Sequence, residues 1–310
     1  MPRSLANEQS FGVPHCRSRC RGRRRRADQR KALAPRVRLT MLWHVGSGLP
    51  WSWTRGASDA SERTHLLEML NWLPERSLLT ADAGFVGYEF WQTLQDAGHD
   101  FLIRVGANVR LLKQLGYYRE CAGRVYLWPD AQARRQQPPI VLRLIVAQGE
   151  RHPVYLVTSV LAKSALSDRQ LLEIYRARWS VEVFYRSFKQ TFGRHKLRCA
   201  ASKNVLVELD WSLAAIWTAC LYAKHQQLAA GEDLAKTSVA SVLRILRRAM
   251  RETDLAIGQL LATALVDSYH RAQKSSRAYP RKKTDPPSVR PPVILKACKT
   301  QIALARAIKG

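Results

Sequence analysis

Between residues 37 and 106, apolar runs of strand length alternate with stretches of helical period, and that alternation restricts the chain to an α/β core. The segment VRLTMLWHVG (37–46) is apolar and β-branched, and Gly46-Ser47-Gly48 turns it into PWSWTRG (50–56), a hairpin signal. Ser58 or Asp59 is placed to cap a helix through SERTHLLEMLNWL, whose Leu66, Leu67, Leu70 and Leu73 share a face. A short buried strand, SLLTAD (77–82), ends on Asp82. Gly84 and Gly87 then open a second helix over 87–98, and DFLIRVG (100–106) reads as a further buried strand.

From 107 to 160 the pattern is strand-rich: VRLL, GRVYLWP, IVLRLIV and HPVYLVTSV are divided by Gly, Pro and Gln turns, and the last two predict a hairpin across 148–150. This region reads as a β-rich insertion in the α/β core. Helix then returns. Ser167 or Asp168 as N-cap predicts one helix running to Gly193, and 203–230 predicts an apolar second. A third, over 233–251, packs Val239, Val242, Leu243 and Leu246 while Arg244, Arg247, Arg248 and Arg251 decorate it. The stretch 271–292, with seven basic residues and five prolines, has the composition of a flexible segment. The organisation expected is a basic arm over 1–36, a first core part over 37–106 and the insertion over 107–160. A second core part over 161–230 and a helical, basic C-terminal region over 231–310 follow.

Charge narrows the partner. The 310 residues hold 51 Lys and Arg against 24 Asp and Glu, a net +27. An excess of that size suits a polyanion, because every neutralised phosphate releases a condensed counterion. Eleven of the cations fall between residues 17 and 38 beside a single acid, Asp28, a run that stays solvated until it meets an acidic partner. The longest apolar run, 211–223, is shorter than the roughly 20 residues that a bilayer crossing requires, so it reads as a buried helix and no membrane partner is expected. The first forty residues lack the apolar segment of a secretory signal, and six scattered cysteines without a CxxC pair suit a reducing cytoplasm. His15-Cys16 and Cys20 are at most half of a zinc site.

The stretch 175–189, YRARWSVEVFYRSFK, holds the most chemistry. On a helix at about 100° per residue, Tyr175, Arg178, Glu182 and Lys189 share an arc of about 60° over about 21 Å of axis. Ile174, Ala177, Val181, Phe184, Phe188 and Phe192 form a separate apolar stripe. One face is fitted to a core, and the next presents an acid flanked by cations. By periodicity alone this is a surface helix with an i,i+4 Arg178–Glu182 pair worth a few tenths of a kcal/mol. Asp82 adds a carboxylate at the end of a buried strand, a common site position in α/β sheets, although such an Asp also serves as a turn cap before Gly84.

The spacing Tyr175-x2-Arg178-x3-Glu182-x6-Lys189 resembles the Y-R-E-K signature of bacterial insertion-sequence transposases, the DDE type of the "insertion sequence four" group. TADAGF around Asp82 is similar to that family's second-aspartate motif, and the likeness runs from about residue 37 to the end. The resemblance implies an RNase H-like core and two divalent ions, magnesium with manganese able to substitute, held by three carboxylates that include Asp82 and Glu182. Two such ions would serve the attacking and leaving oxygens of phosphoryl transfer. Tyr175, Arg178 and Lys189 would position DNA phosphates, the partner being double-stranded DNA at element ends and target. Trp179, beside that face, is expected in the core. A homodimer on paired ends and a cytoplasmic, nucleoid-associated protein are further implications.

The match has a gap. Three carboxylates are expected and two are found, with Asp28 inside the arginine run and Asp59 better explained as a cap. Text resembling the residues after the family's first Asp stands at 2–12, so the first core strand is expected to be missing and the chain truncated. The block 13–35 does not resemble the family although both of its flanks do, as a shifted reading frame or decayed gene would produce. The alternative reading is a catalytically dead DNA-binding remnant or an inhibitor of intact relatives. An RNA-binding protein ranks below both, because no RNA module is recognisable.

Overall fold

The computed structural model describes residues 3–12, 36–148, 153–194, 196–199, 201–252, 255–265 and 290–309. The arginine run as far as residue 35, the His15-Cys16-Cys20 group and most of 271–292 lie outside the described residues. In chain order the elements begin with strands β1 (Arg3–Gly12), β2 (Arg36–His44) and β3 (Leu49–Ala57), then helix α1 (Glu62–Glu68), β4 (Leu78–Ala81), helix α2 (Tyr88–Asp96) and β5 (Asp100–Val105). Next come β6 (Arg110–Lys113), β7 (Arg124–Leu127), α3 (Asp130–Arg134), β8 (Ile140–Ala147) and β9 (Val154–Thr158). Helices α4 (Asp168–Ala177), α5 (Trp179–Arg186), α6 (Ser202–Ala229), α7 (Val239–Ala249) and α8 (Ile257–Ala262) follow, and β10 (Val293–Lys296) and α9 (Lys299–Lys309) close the chain.

These elements fall into two compact units that cut the chain at 6/7, 69/70, 179/180 and 269/270. Chain order does not decide the division, because compactness is set by contacts between residues distant in sequence. Unit 1 comprises Met1–Ala6, Leu70–Trp179 and His270–Gly310; unit 2 comprises Asn7–Met69 and Ser180–Tyr269.

Unit 1 is built on a mixed sheet in the order β10-β6-β7-β8-β9-β5-β4-β1. β1, β4 and β5 run parallel, and β9, β8, β7 and β6 continue from β5 as an antiparallel series. The strand-rich region 107–160 therefore extends the same sheet. β8 and β9 form the expected hairpin, while β10, which pairs parallel with β6, had no sequence expectation. Residues 3–5, where no strand was expected, pair parallel with Leu78–Thr80 of β4. SLANEQS has no apolar alternation, so the partner strand supplies the reason, since buried β4 needs hydrogen bonds on both edges. Successive side chains of a strand face opposite ways. Trp91 of α2 meets Phe101 at 5.1 Å between ring centroids, whereas Leu171 and Ile174 of α4 cluster with Leu78, Leu102, Ile145 and Leu156. Phe101 and Leu102 are neighbours on β5, so α2 and α4 cover opposite faces.

Unit 2 holds the expected β2–β3 hairpin, antiparallel with an irregularity at Leu42/Trp43. α1 starts later than expected, capped by Ser61 in place of Ser58 or Asp59, because the hairpin strand runs through Ala57 and a turn occupies 58–59. His65 of α1 meets Thr40 of β2 at 3.0 Å between Nδ1 and Oγ1. Ala219 and Ala223 of α6 pack with Val242 of α7 and Leu261 of α8, small residues that let helices approach closely.

The expected burial of 211–223 holds for one face, where Leu213, Ile216, Cys220 and Ala223 are buried, while Trp211 is 73% exposed and Leu221 and Tyr222 are exposed as well. Over Lys203–Ala229 α6 is long and apolar enough to cross a membrane by length and composition, with 33% of that window buried. Its polar groups are nevertheless docked inside unit 2. Asp210 accepts from Trp53 Nε1 at 3.1 Å and pairs with Arg55 at 2.8 Å. Lys224 donates to Leu234 O at 2.6 Å and Thr237 Oγ1 at 2.8 Å.

Candidate functional site

All four residues of β4 are buried, and Asp82 follows them at the strand's C-terminal end. Its Oδ1 accepts from Gly84 N at 2.8 Å and so caps the short 3-10 turn Ala83–Phe85. The cap reading is thus correct, and the second carboxylate oxygen makes no part of it. A Cβ on Gly84 would stand 3.0 Å from Asp82 Oδ1, which explains the glycine.

The register decides what Asp82 faces. β4 and β5 are parallel with Thr80 beside Leu102 and Ala81 beside Ile103. One residue further along each chain stand Asp82 and Arg104. By the two-residue period they share the face of Leu78 and Leu102, the face that α4 covers. Sequence reading missed Arg104. The available signal was a cation inside the apolar run FLIRV, which is costly in a buried strand unless a partner stands opposite.

α4 is fixed at its start by a complete capping box: Ser167 accepts from Gln170 N, and the Gln170 side chain accepts from Ser167 N at 2.9 Å. Leu171 and Ile174 anchor it to the sheet, with Tyr175 packed partly buried at the margin of that cluster. The Arg178 guanidinium stands over the Tyr175 ring at 5.5 Å from its centroid. Burial pushes the Tyr175 phenol above its ordinary value; Arg178 and Arg104 pull it back, and Asp82 adds a further push. Asp82, Arg104 and Arg178 are therefore each close enough to Tyr175 to act on its phenol within unit 1. One carboxylate, two guanidiniums and a protonated phenol suit an anionic oxygen ligand such as a phosphate.

The single helix expected to Gly193 is in three pieces. Arg178 N reaches Tyr175 O, an i+3 bond that tightens the end of α4. α5 follows, and Ser187–Thr191 is a π turn closed by Phe192 N to Ser187 O at 2.9 Å before Gly193 at φ +73°. An i+5 turn holds more residues than an α turn, so the uniform projection of Lys189 onto the arc of Glu182 is corrected by that lag. In unit 2, Glu182 lies half-buried in the first turn of α5, and Lys189 lies half-buried in the π turn, where burial pulls its ammonium below the ordinary value. The apolar stripe packs as expected: Phe184 meets Trp43 of β2 at 4.9 Å, and Phe184, Phe188 and Phe192 stack in series. Trp179 departs from expectation, being 53% exposed and outside the core.

Among the described residues no group of three His, Cys, Asp or Glu is placed to hold a metal ion. Asp82 belongs to unit 1 and Glu182 to unit 2, and each unit by itself lacks the three-carboxylate donor set. The described residues do not fit the expected magnesium site.

The sequence profile of the family described as "Transposase DDE domain" matches residues 10–218, two thirds of the chain. The chain belongs to the DDE transposase family. The chain is 24% identical over 187 residues to "Transposase InsG for insertion sequence element IS4" of Escherichia coli (strain K12). That match covers 58% of this chain and 42% of the relative, so the chain spans less than half of the relative's length. Among solved structures the DDE chain is similar to that of the "piggyBac transposase synaptic complex with hairpin DNA", with TM-score 0.45 and 14% identity over 85% of this chain and 57% of the other. The Y-R-E-K positions and Asp82 all lie inside the matched 10–218.

Proposed function

We propose that this chain acts as a DNA transposase at the ends of an insertion sequence, on an RNase H-like core. The observation that carries the reading is the gathering, in a transposase DDE domain, of Asp82, Arg104 and Arg178 around Tyr175 near the C-terminal ends of β4 and β5. The parallel set β1, β4 and β5 and the antiparallel hairpin β2–β3 support the core assignment. Water attacks the phosphorus at the element's end, its P–O3′ bond breaks, and a 3′-hydroxyl is released. That hydroxyl then forms a P–O bond with the target strand, whose own 3′ oxygen leaves. Asp82 and Glu182 are assigned to the reacting centre. Tyr175, Arg178 and Lys189 are assigned to the flanking phosphates, where cations offset charge that builds on the oxygens. Double-stranded DNA is the partner, and two ends would engage two copies of the chain. The family generally uses a divalent metal ion, and magnesium or manganese enters here as an assay condition because the described residues do not assemble a site for it.

The absence of a three-carboxylate group among the described residues favours a second reading, a DNA-binding protein that does not cleave. One assay separates the two. Purified full chain, with magnesium or manganese, is incubated with plasmid bearing the element's terminal repeats. Nicking at the repeats that Glu182→Ala abolishes while DNA binding persists supports the transposase. Binding without nicking in either protein supports the second reading, and equal nicking by both removes Glu182 from the chemistry.

A further inference from the structure

α7 has two faces of opposite character. Taking Arg244 as zero, a helix at about 100° per residue puts Arg247 near −60° and Arg248 near +40°, and Arg251 follows in the turn after the helix. All four are exposed. Val242 and Leu246 fall on the far side and pack with α6 and α8. Ser238 caps the start by accepting from Ser241 N at 3.2 Å. Arg248 pairs with Glu252 at 2.8 Å. Among the described residues Arg244, Arg247 and Arg251 have no carboxylate partner: Arg244 Nε donates to Ala240 O at 3.3 Å and Arg251 Nε to Arg247 O at 3.2 Å. Arg244 Nη2 also donates to Ser241 Oγ at 3.2 Å, and these bonds lay the stems along the helix surface.

We propose that this arginine face is a second DNA-contacting surface, binding backbone phosphates of duplex DNA independently of sequence. The proposal rests on the transposase reading and extends it to a part of the chain beyond the matched 10–218. A simpler account assigns the cations to the helix dipole, but that covers the last turn only and leaves Arg244 unexplained. Arginine at all four positions favours phosphate, whose oxygens match the guanidinium fork. A membrane surface fits less well, because an interfacial helix sinks its apolar face in lipid and that face of α7 is already packed inside unit 2. α7 also lies against the π turn that holds Lys189 within unit 2.

The test uses the full chain and a variant with Arg244→Gln, Arg247→Gln, Arg248→Gln and Arg251→Gln. Affinity for a short duplex carrying a terminal repeat, and for a scrambled duplex, is measured between about 50 and 200 mM salt. The expected result is a plot of log affinity against log salt that is shallower by roughly three for both duplexes, with most of the slope restored by the matching Lys variant. If the fourfold variant melts early, Arg244→Gln and Arg251→Gln singly should each remove about one from the slope. An unchanged slope while the wild-type chain binds DNA overturns the α7 assignment and leaves the transposase reading standing. Loss confined to an RNA duplex or to phosphatidylserine vesicles also overturns it. A wild-type chain without DNA affinity at any salt overturns both.

Discussion

Tyr175 shows how one side chain ties the site to stability. Its phenol is held above the ordinary 10.0 by burial, so above pH 10 the unfolded chain loses this proton while the folded chain keeps it. Folding stability from this group is complete below pH 10 and falls as pH rises toward the folded value. We expect the melting temperature of the wild-type chain to drop more steeply above pH 10 than that of Tyr175→Phe. Parallel curves would show that Tyr175 is not protected. Gly56 gives a second test at this scale, since a Cβ there would stand 2.7 Å from His65 Nε2 and 2.9 Å from Ala60 Cβ. Gly56→Ala should cost about 1–3 kcal/mol, read by denaturant titration. Asp82 was legible because a carboxylate after a buried run is conspicuous. Arg104 was not, because its facing depends on the pairing of β4 with β5, and register is a long-range property. Trp179 was misread because apolar character alone does not say which side of a short helix meets the core.

At the scale of elements, the capping box and the aromatic series make separable predictions. Ser167→Ala removes the acceptor at the start of α4 and should cost about 1 kcal/mol, seen as a small drop in melting temperature. Phe184→Ala empties the contact with Trp43 and should cost about 3–5 kcal/mol, while faster amide exchange in the π turn would show that Lys189 has lost its support. The hairpins β2–β3 and β8–β9 were readable because alternation and turn residues are local signals. The break at Arg178 and the π turn at Ser187–Thr191 were not, since both concern hydrogen-bond register, which leaves the apolar pattern almost unchanged. β1 and β10 owe their strand form to partner edges, and neither sequence alternates.

For the whole molecule, a net +27 predicts that DNA affinity falls steeply with salt, by about a thousandfold or more between about 50 and 200 mM if six or more phosphates are engaged. A flat response would contradict DNA as the partner. The family was legible from four spaced residues and a strand-end Asp, because that chemistry fixes identity at those positions. The two compact units were not, because each draws on separated stretches of chain. The most direct test of the central claim is cleavage by Asp82→Asn beside the wild-type chain, with 3′ ends mapped on DNA carrying the terminal repeats. Asn keeps the oxygen that accepts from Gly84 N, so fold and DNA binding should persist. The predicted result is a wild-type chain that releases a 3′-hydroxyl at the element's boundary and a variant that binds equally but releases none. A variant that cleaves at the wild-type rate would contradict the assignment of Asp82 to the reacting centre.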